Sequence, residues 1–206
     1  MNHFENLNPE KRERILNAGF QIFGRYGYGK ASTADIAKAA GISKAMIFHY
    51  FDTKKAMYFY LLQEATDKIL GAMQEHTEEI SSDFFDRILD LSHIKVEVLK
   101  AYPGLFQFLY TVYQETDPEV TDELKQYMDR GAAMRNEMVV RKSDVVKFRE
   151  GVSPELVMEL VTDCSLGVFS FRAMEGYTPE LVDQMMGRIK AYLSLLKKHL
   201  YKEEYL

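Results

Sequence analysis

The sequence predicts an all-α protein, and three features predict it. Apolar residues recur at helical spacing through most of the 206 residues. No alternating pattern of strand type persists. Prolines 103, 118, 154 and 179 fall at or just before the starts of helical runs, where a missing N–H costs little.

Taken in order, Pro9 opens the first helix, and Ile15, Ala18, Gly19, Ile22, Phe23 and Tyr26 form its predicted apolar stripe. Gly27 ends it, with Tyr28 placed to cover the end. Ser32 and Asp35 make a Ser-x-x-Asp start signal for a second, short helix that turns Ile36, Ala37 and Ala40 inward and stops at Gly41. Ser43 then caps a third. A long helix is expected from Asp52 or Thr53 to about Glu79, followed by helices over 83–101, 103–115, 119–141, 154–175 and 179–201. Residues 142–153 carry mixed signals and read as a loop with room for extended parts.

The last two helices differ from the rest. Val182, Met185, Met186, Ile189, Leu193, Leu196 and Leu200 step by threes and fours along the final one. Its neighbour is apolar on most faces, which argues for burial on more than one side. Gly167 in that neighbour loses about 1 kcal/mol of helix propensity relative to Ala, a cost that close approach of another helix would offset. A single chain can bury such helices internally. A symmetric dimer explains the doubly apolar helix better, through Gly167, Met186, Ile189, Leu193 and Leu196.

Composition bounds the function. With 47% hydrophobic and 28% charged residues the chain is an ordinary globular one. Its one cysteine, Cys164, excludes a disulfide framework or thiol metal cluster within the chain. The polar N-terminus lacks the apolar core of a signal peptide and no segment is long enough to span a bilayer, so a cytoplasmic protein without a membrane partner is expected. The net charge of -5 hides an asymmetry. Residues 1–55 hold nine Lys/Arg and five acids, a basic head on an acidic body, as nucleic-acid binding requires.

Within that head, Ala37, Gly41 and Ile47 have the spacing of a helix-turn-helix. The small alanine lets the second helix cross closely, and Ile42 and Ile47 plug the angle between the two. Such motifs lay the second helix in the DNA major groove with its first residues on base edges. Lys44, Ala45 and Met46 occupy those positions.

The stretch 14–58 resembles the DNA-binding domain of TetR-family transcriptional repressors almost end to end. The likeness runs from Ile15, Ala18, Phe23, Gly27 and Tyr28 through Ile36, Ala37, Ala40, Gly41 and Ser43 to His49, Tyr50, Phe51 and Lys54. It implies a three-helix DNA-binding domain, residues 1–52, joined by a long helix to an all-α ligand-binding and dimerisation domain, residues 53–206. It further implies a homodimer on a near-palindromic double-stranded operator, released by a small, mostly apolar effector. Carried over by position, Thr33 resembles a phosphate contact at a helix N-terminus, Lys44 a base or phosphate contact, and Tyr50 and Lys54 backbone contacts. Ala45 and Met46 face base edges, and His49 is either a groove contact or a packing histidine. Two departures stand out. Phe48 lacks the hydroxyl of the tyrosine often found there, and Met46 replaces a small or hydroxylated residue, favouring apolar readout.

Other chemistries find little support. Asp90 and His93 form one Asp-x-x-His pair without the second pair a di-iron bundle needs. No nucleophile elbow, phosphate-binding glycine loop or zinc-type histidine pair occurs, so no catalytic residue, metal or cofactor is expected. A helical protein-interaction adaptor is the alternative. Met- and aromatic-rich helices suit a cavity for an apolar ligand, with Met134 and Phe169 as walls and His93, Tyr110, Tyr113 and Ser165 as orienting groups.

Overall fold

The computed structural model describes residues 3–170 and 178–206, and these form helices α1 Pro9–Lys30, α2 Thr33–Ala40, α3 Lys44–Phe51, α4 Lys54–Glu75, α5 Phe84–Ala101, α6 Pro103–Gln114, α7 Thr121–Val139, α8 Pro154–Ser170 and α9 Pro179–Leu200. The predicted loop holds a 3-10 segment, Lys142–Lys147, and a single antiparallel bridge from Phe148 to Tyr201. No described helix is long and apolar enough to cross a membrane.

The chain divides into two compact units, one of residues 1–71 and 98–124, the other of residues 72–97 and 125–206. In the first, α1 buries more than the predicted stripe. Leu16 and Phe20 join Ile15, Ala18, Gly19 and Phe23, whereas Tyr26 is exposed beneath the Arg25 guanidinium. The reason is that α1 packs against both α2 and α6 and so needs two apolar faces. At Gly24 a Cβ would stand 2.8 Å from the Phe108 backbone nitrogen, and at Gly104 one would stand 2.9 Å from that of Gln21. Only hydrogen fits at these two points. Gly27 breaks the helix at φ 69, ψ 177, a conformation side chains resist, but one more turn follows to Lys30.

In the second unit, α5, α8 and α9 enclose a core of Phe84, Phe85, Ile88, Val157, Val161, Val182, Met186, Ile189 and Leu193, closed by Phe148 and Tyr201. The residues expected at a dimer surface divide between this core and the outside. Met186, Ile189 and Leu193 face their own protomer's core and Leu196 is half-buried, because the strongest stripe of α9 is taken by intrachain packing. The large apolar residues left exposed on α8 and α9 are instead Leu156, Leu160 and Leu195, among the described ones. Among the described residues, no atom beyond its own helix lies within 4 Å of a Cβ built on Gly167. Beneath this core Arg87 and Asp144 form a fully buried ion pair. Arg87 also donates to the carbonyls of Val139 at 2.8 Å and Ser82 at 2.8 Å.

The expected cavity residues are also redistributed. His93, Tyr113 and Met134 are exposed, so none lines an enclosed space within its own unit. The Ser165 hydroxyl donates to its own helix at the Val161 carbonyl, 2.7 Å away, and that satisfies it. Tyr110 is half-buried and accepts a hydrogen bond from Gln114. The Phe169 side chain and residues 171–175 of the predicted α8 lie outside the described residues.

Candidate nucleic-acid interface

Local chemistry builds the corner between α2 and α3. The Ser32 hydroxyl accepts from the Ala34 N–H at 3.1 Å to start α2, and the Ser43 hydroxyl accepts from the Met46 N–H at 3.3 Å to start α3. Between them Gly41 sits at φ 65, ψ 37, the left-handed region in which a Cβ is costly. The Ile42 N–H then closes back on the Ala37 carbonyl at 3.0 Å. Ile36, Ala37, Ala40 and Ile47 are buried, as the spacing predicts, and Arg14 donates to the Ala40 carbonyl at 2.8 Å to seal the end of α2.

The corner between α3 and α4 is tighter. Asp52 takes φ 60, ψ -47, and the Thr53 N–H reaches the Phe51 carbonyl at 2.6 Å around it, a strained γ-turn. The Thr53 hydroxyl then caps α4 by accepting from the Ala56 N–H at 2.9 Å.

The outer face of α3 presents Lys44, Ala45, Phe48 and His49, with Met46 half-buried at the edge. The Lys44 ammonium lies 5.8 Å from the Phe48 ring centroid. Three residues sit differently from the sequence expectation. Thr33 is 7% exposed, so the first turn of α2 offers its backbone more than this side chain. Tyr50 is also 7% exposed, its ring edge-on to Phe4 at 5.6 Å and covered by Lys11. Lys54 is drawn inward, over the Tyr28 ring at 4.3 Å and toward the Gly29 carbonyl at 3.4 Å.

The N-terminal arm is the part that sequence reading missed. Phe4 is fully buried against Phe51 and Tyr60, and the His3 ring stacks on His49 at 5.0 Å. Arg12 anchors the arm, 2.5 Å from Glu64 and 3.4 Å from Glu5. Burial works to lower the Arg12 pKa, but the hydrogen bond with Tyr60 and the charges of Glu64 and Glu5 more than offset it and hold it above its ordinary value. The signal was Phe4 and Leu7, two apolar residues in an otherwise polar lead.

Residues 15–61 match the family model for bacterial regulatory proteins of the tetR family. The chain is also 37% identical over 193 residues to the HTH-type transcriptional repressor Rv1474c of Mycobacterium tuberculosis, covering 91% of each chain. The chain belongs to the TetR family. This TetR-family member is 27% identical over 128 residues to the transcriptional regulator RutR of Escherichia coli, a match spanning 60% of this chain and 59% of that relative's length. Its fold is that of a TetR-family regulator from Chloroflexus aurantiacus, with TM-score 0.74 at 18% identity over 98% of this chain and 99% of the other. The regulator FadR from Bacillus halodurans gives 0.70 at 20% identity over 92% and 95%. The chain is thus an all-α member of a family of bacterial transcriptional regulators that are not enzymes.

Proposed function

We propose that this regulator is a homodimeric repressor that binds a near-palindromic operator and is released by a small, mostly apolar effector. The observation that carries the DNA-binding part is the capped α3 with Lys44, Ala45, Met46, Phe48 and His49 along its outer side. In this reading Lys44 meets base or phosphate, Ala45 and Met46 meet base edges, and His49 takes a groove-side position beside His3. The backbone contacts are the first turn of α2 at Thr33, the hydroxyl end of Tyr50 and the Lys54 ammonium. Residues 1–52 form the DNA-binding part and residues 53–206 the sensing and dimerising part. The relative named as a repressor, covered at 91% of its length, supports repression.

For the dimer, the surface on offer is one stripe of α8, Leu156, Leu160, Cys164 and Gly167, beside Tyr192 and Leu195 of α9. Leu196 and Gly167 remain from the sequence-derived set, and the buried members support that face from beneath.

Selection from random duplex DNA with the full chain tests the reading. A dyad-symmetric sequence should emerge, with half-sites about one turn, roughly 34–36 Å, or a small multiple apart. On it Lys44→Ala should weaken binding, with a reduced salt slope if the contact is to phosphate, and Met46→Ala should shift base preference with little change in slope. A pool with no enriched dyad overturns the repressor and favours the adaptor.

A further inference from the structure

The second unit contains two cations in places where its own pattern calls for apolar side chains. Along α5, Phe84, Ile88 and Leu91 are buried at steps of four and three, and the next position on that stripe is Lys95. Along α7, Met128, Gly131, Arg135 and Met138 step by three and four, and Met138 packs against the unit's core. Lys95 and Arg135 are both half-buried. They lie within electrostatic reach of each other, and burial first, then the charge of Arg135, holds Lys95 below its ordinary pKa.

Neither cation has a counter-ion among the described residues. The Asp90 carboxylate on α5 is engaged by the Ser81 N–H at 2.9 Å. The Arg135 Nε is shut off from solvent and has no acceptor. An N–H in that state has lost its hydration without regaining a hydrogen bond, and the like charge nearby adds to the cost. Gly131, one turn before Arg135, is exposed and puts no side chain on that face of the helix.

We propose that Lys95 and Arg135 form the head-group site for an organic anion, a carboxylate or phosphate carried on an apolar body that lies along Leu91 and Met138. An anion satisfies the planar guanidinium with paired acceptors and separates the two positive charges. This rests on the effector reading above and narrows it, from an apolar molecule to an amphipathic anion.

The test uses the full chain and three ten-carbon probes, decanoate, decyl phosphate and decanol, below their aggregation concentrations. Calorimetric titration should show one of the anions binding at least about tenfold more tightly than decanol, and the stronger of the two identifies the head group. Lys95→Met and Arg135→Met should each abolish that preference, whereas Arg135→Lys should retain part of it. Without any ligand, Lys95→Met should melt at or above the parent temperature, because it removes an uncompensated charge. Equal binding of decanol and the anions overturns the proposal, as do unchanged anion binding in both Met variants, absence of binding by either anion, or a lower ligand-free melting temperature for Lys95→Met. Operator selection contains no effector, so failure of the repressor reading registers there and not here.

Discussion

Four helix glycines separate two kinds of surface. In the seam between α1 and α6, Gly24 and Gly104 each face backbone closer than 3.0 Å from an added Cβ. On α8 and α9, Gly167 and Gly187 face nothing within 4 Å. The same residue type therefore marks an approach already made inside the chain in one place and, among the described residues, a surface without a close neighbour in the other. A helix glycine costs about 1 kcal/mol relative to alanine wherever it stands. In the first seam the return is visible within the protomer; on α8 no described side chain supplies it, and the dimer proposed above would.

The largest effect expected from this contrast compares two leucines. Leu193→Glu places a carboxylate in the core of the second unit and should cost several kcal/mol, enough to prevent that unit from folding in a circular-dichroism melt. Leu160→Glu, on the exposed side of α8, should leave the melt of dilute protein nearly unchanged and shift sedimentation from dimer to monomer. Dimer mass retained in Leu160→Glu and Leu195→Glu together would move the interface off these helices.

Gly24→Ala comes next. It should destabilise by about 1–3 kcal/mol, because the two nearest atoms, the Phe108 nitrogen and the Gln107 carbonyl carbon, are backbone and cannot swing away. Gly167→Ala should have the opposite sign in the isolated protomer, a gain of up to about 1 kcal/mol, while raising the dimer dissociation constant. A denaturant titration at low and high protein concentration separates the two terms. Loss of stability at both concentrations would mean that Gly167 serves the protomer.

A smaller, pH-dependent effect belongs to the second unit. Burial alone would raise the Asp83 carboxyl, but hydrogen bonds from Lys197 and Lys147 outweigh it and hold the group below its ordinary pKa. The stabilisation is therefore present above the unfolded carboxylate range, near pH 4, and lost as pH falls through the lower folded value. Lys147→Met should weaken that acid dependence and leave stability at pH 7 only slightly reduced. Melting temperatures between pH 3 and pH 7 check this.

What could be read in advance follows the range of the interactions involved. Helix starts at Pro103, Pro154 and Pro179 and the caps at Ser32 and Ser43 depend on residues a few positions apart, and they stand where expected. Gly41 is similar, since its left-handed backbone is a local demand. The direction each stripe faces is not local. From sequence alone the stripe of α9 reads as an interface in preference to core, and the choice depends on α5 and Phe148 being packed against it. The Arg87–Asp144 pair spans 57 positions and left no periodic trace. The capped start of α3 and the exposure of Lys44 and Ala45 were legible, yet the burial of Tyr50 depends on Phe4, a residue outside any helix.

The N-terminal arm has a practical consequence. With Phe4 locked against Phe51 and the His3 ring on His49, anything fused ahead of the arm emerges beside the helix assigned to the operator. A purification tag at that end would compete for the same groove or add its own charge to it, and a histidine tag would do both. Affinities measured with such a fusion would describe the tag as much as the regulator.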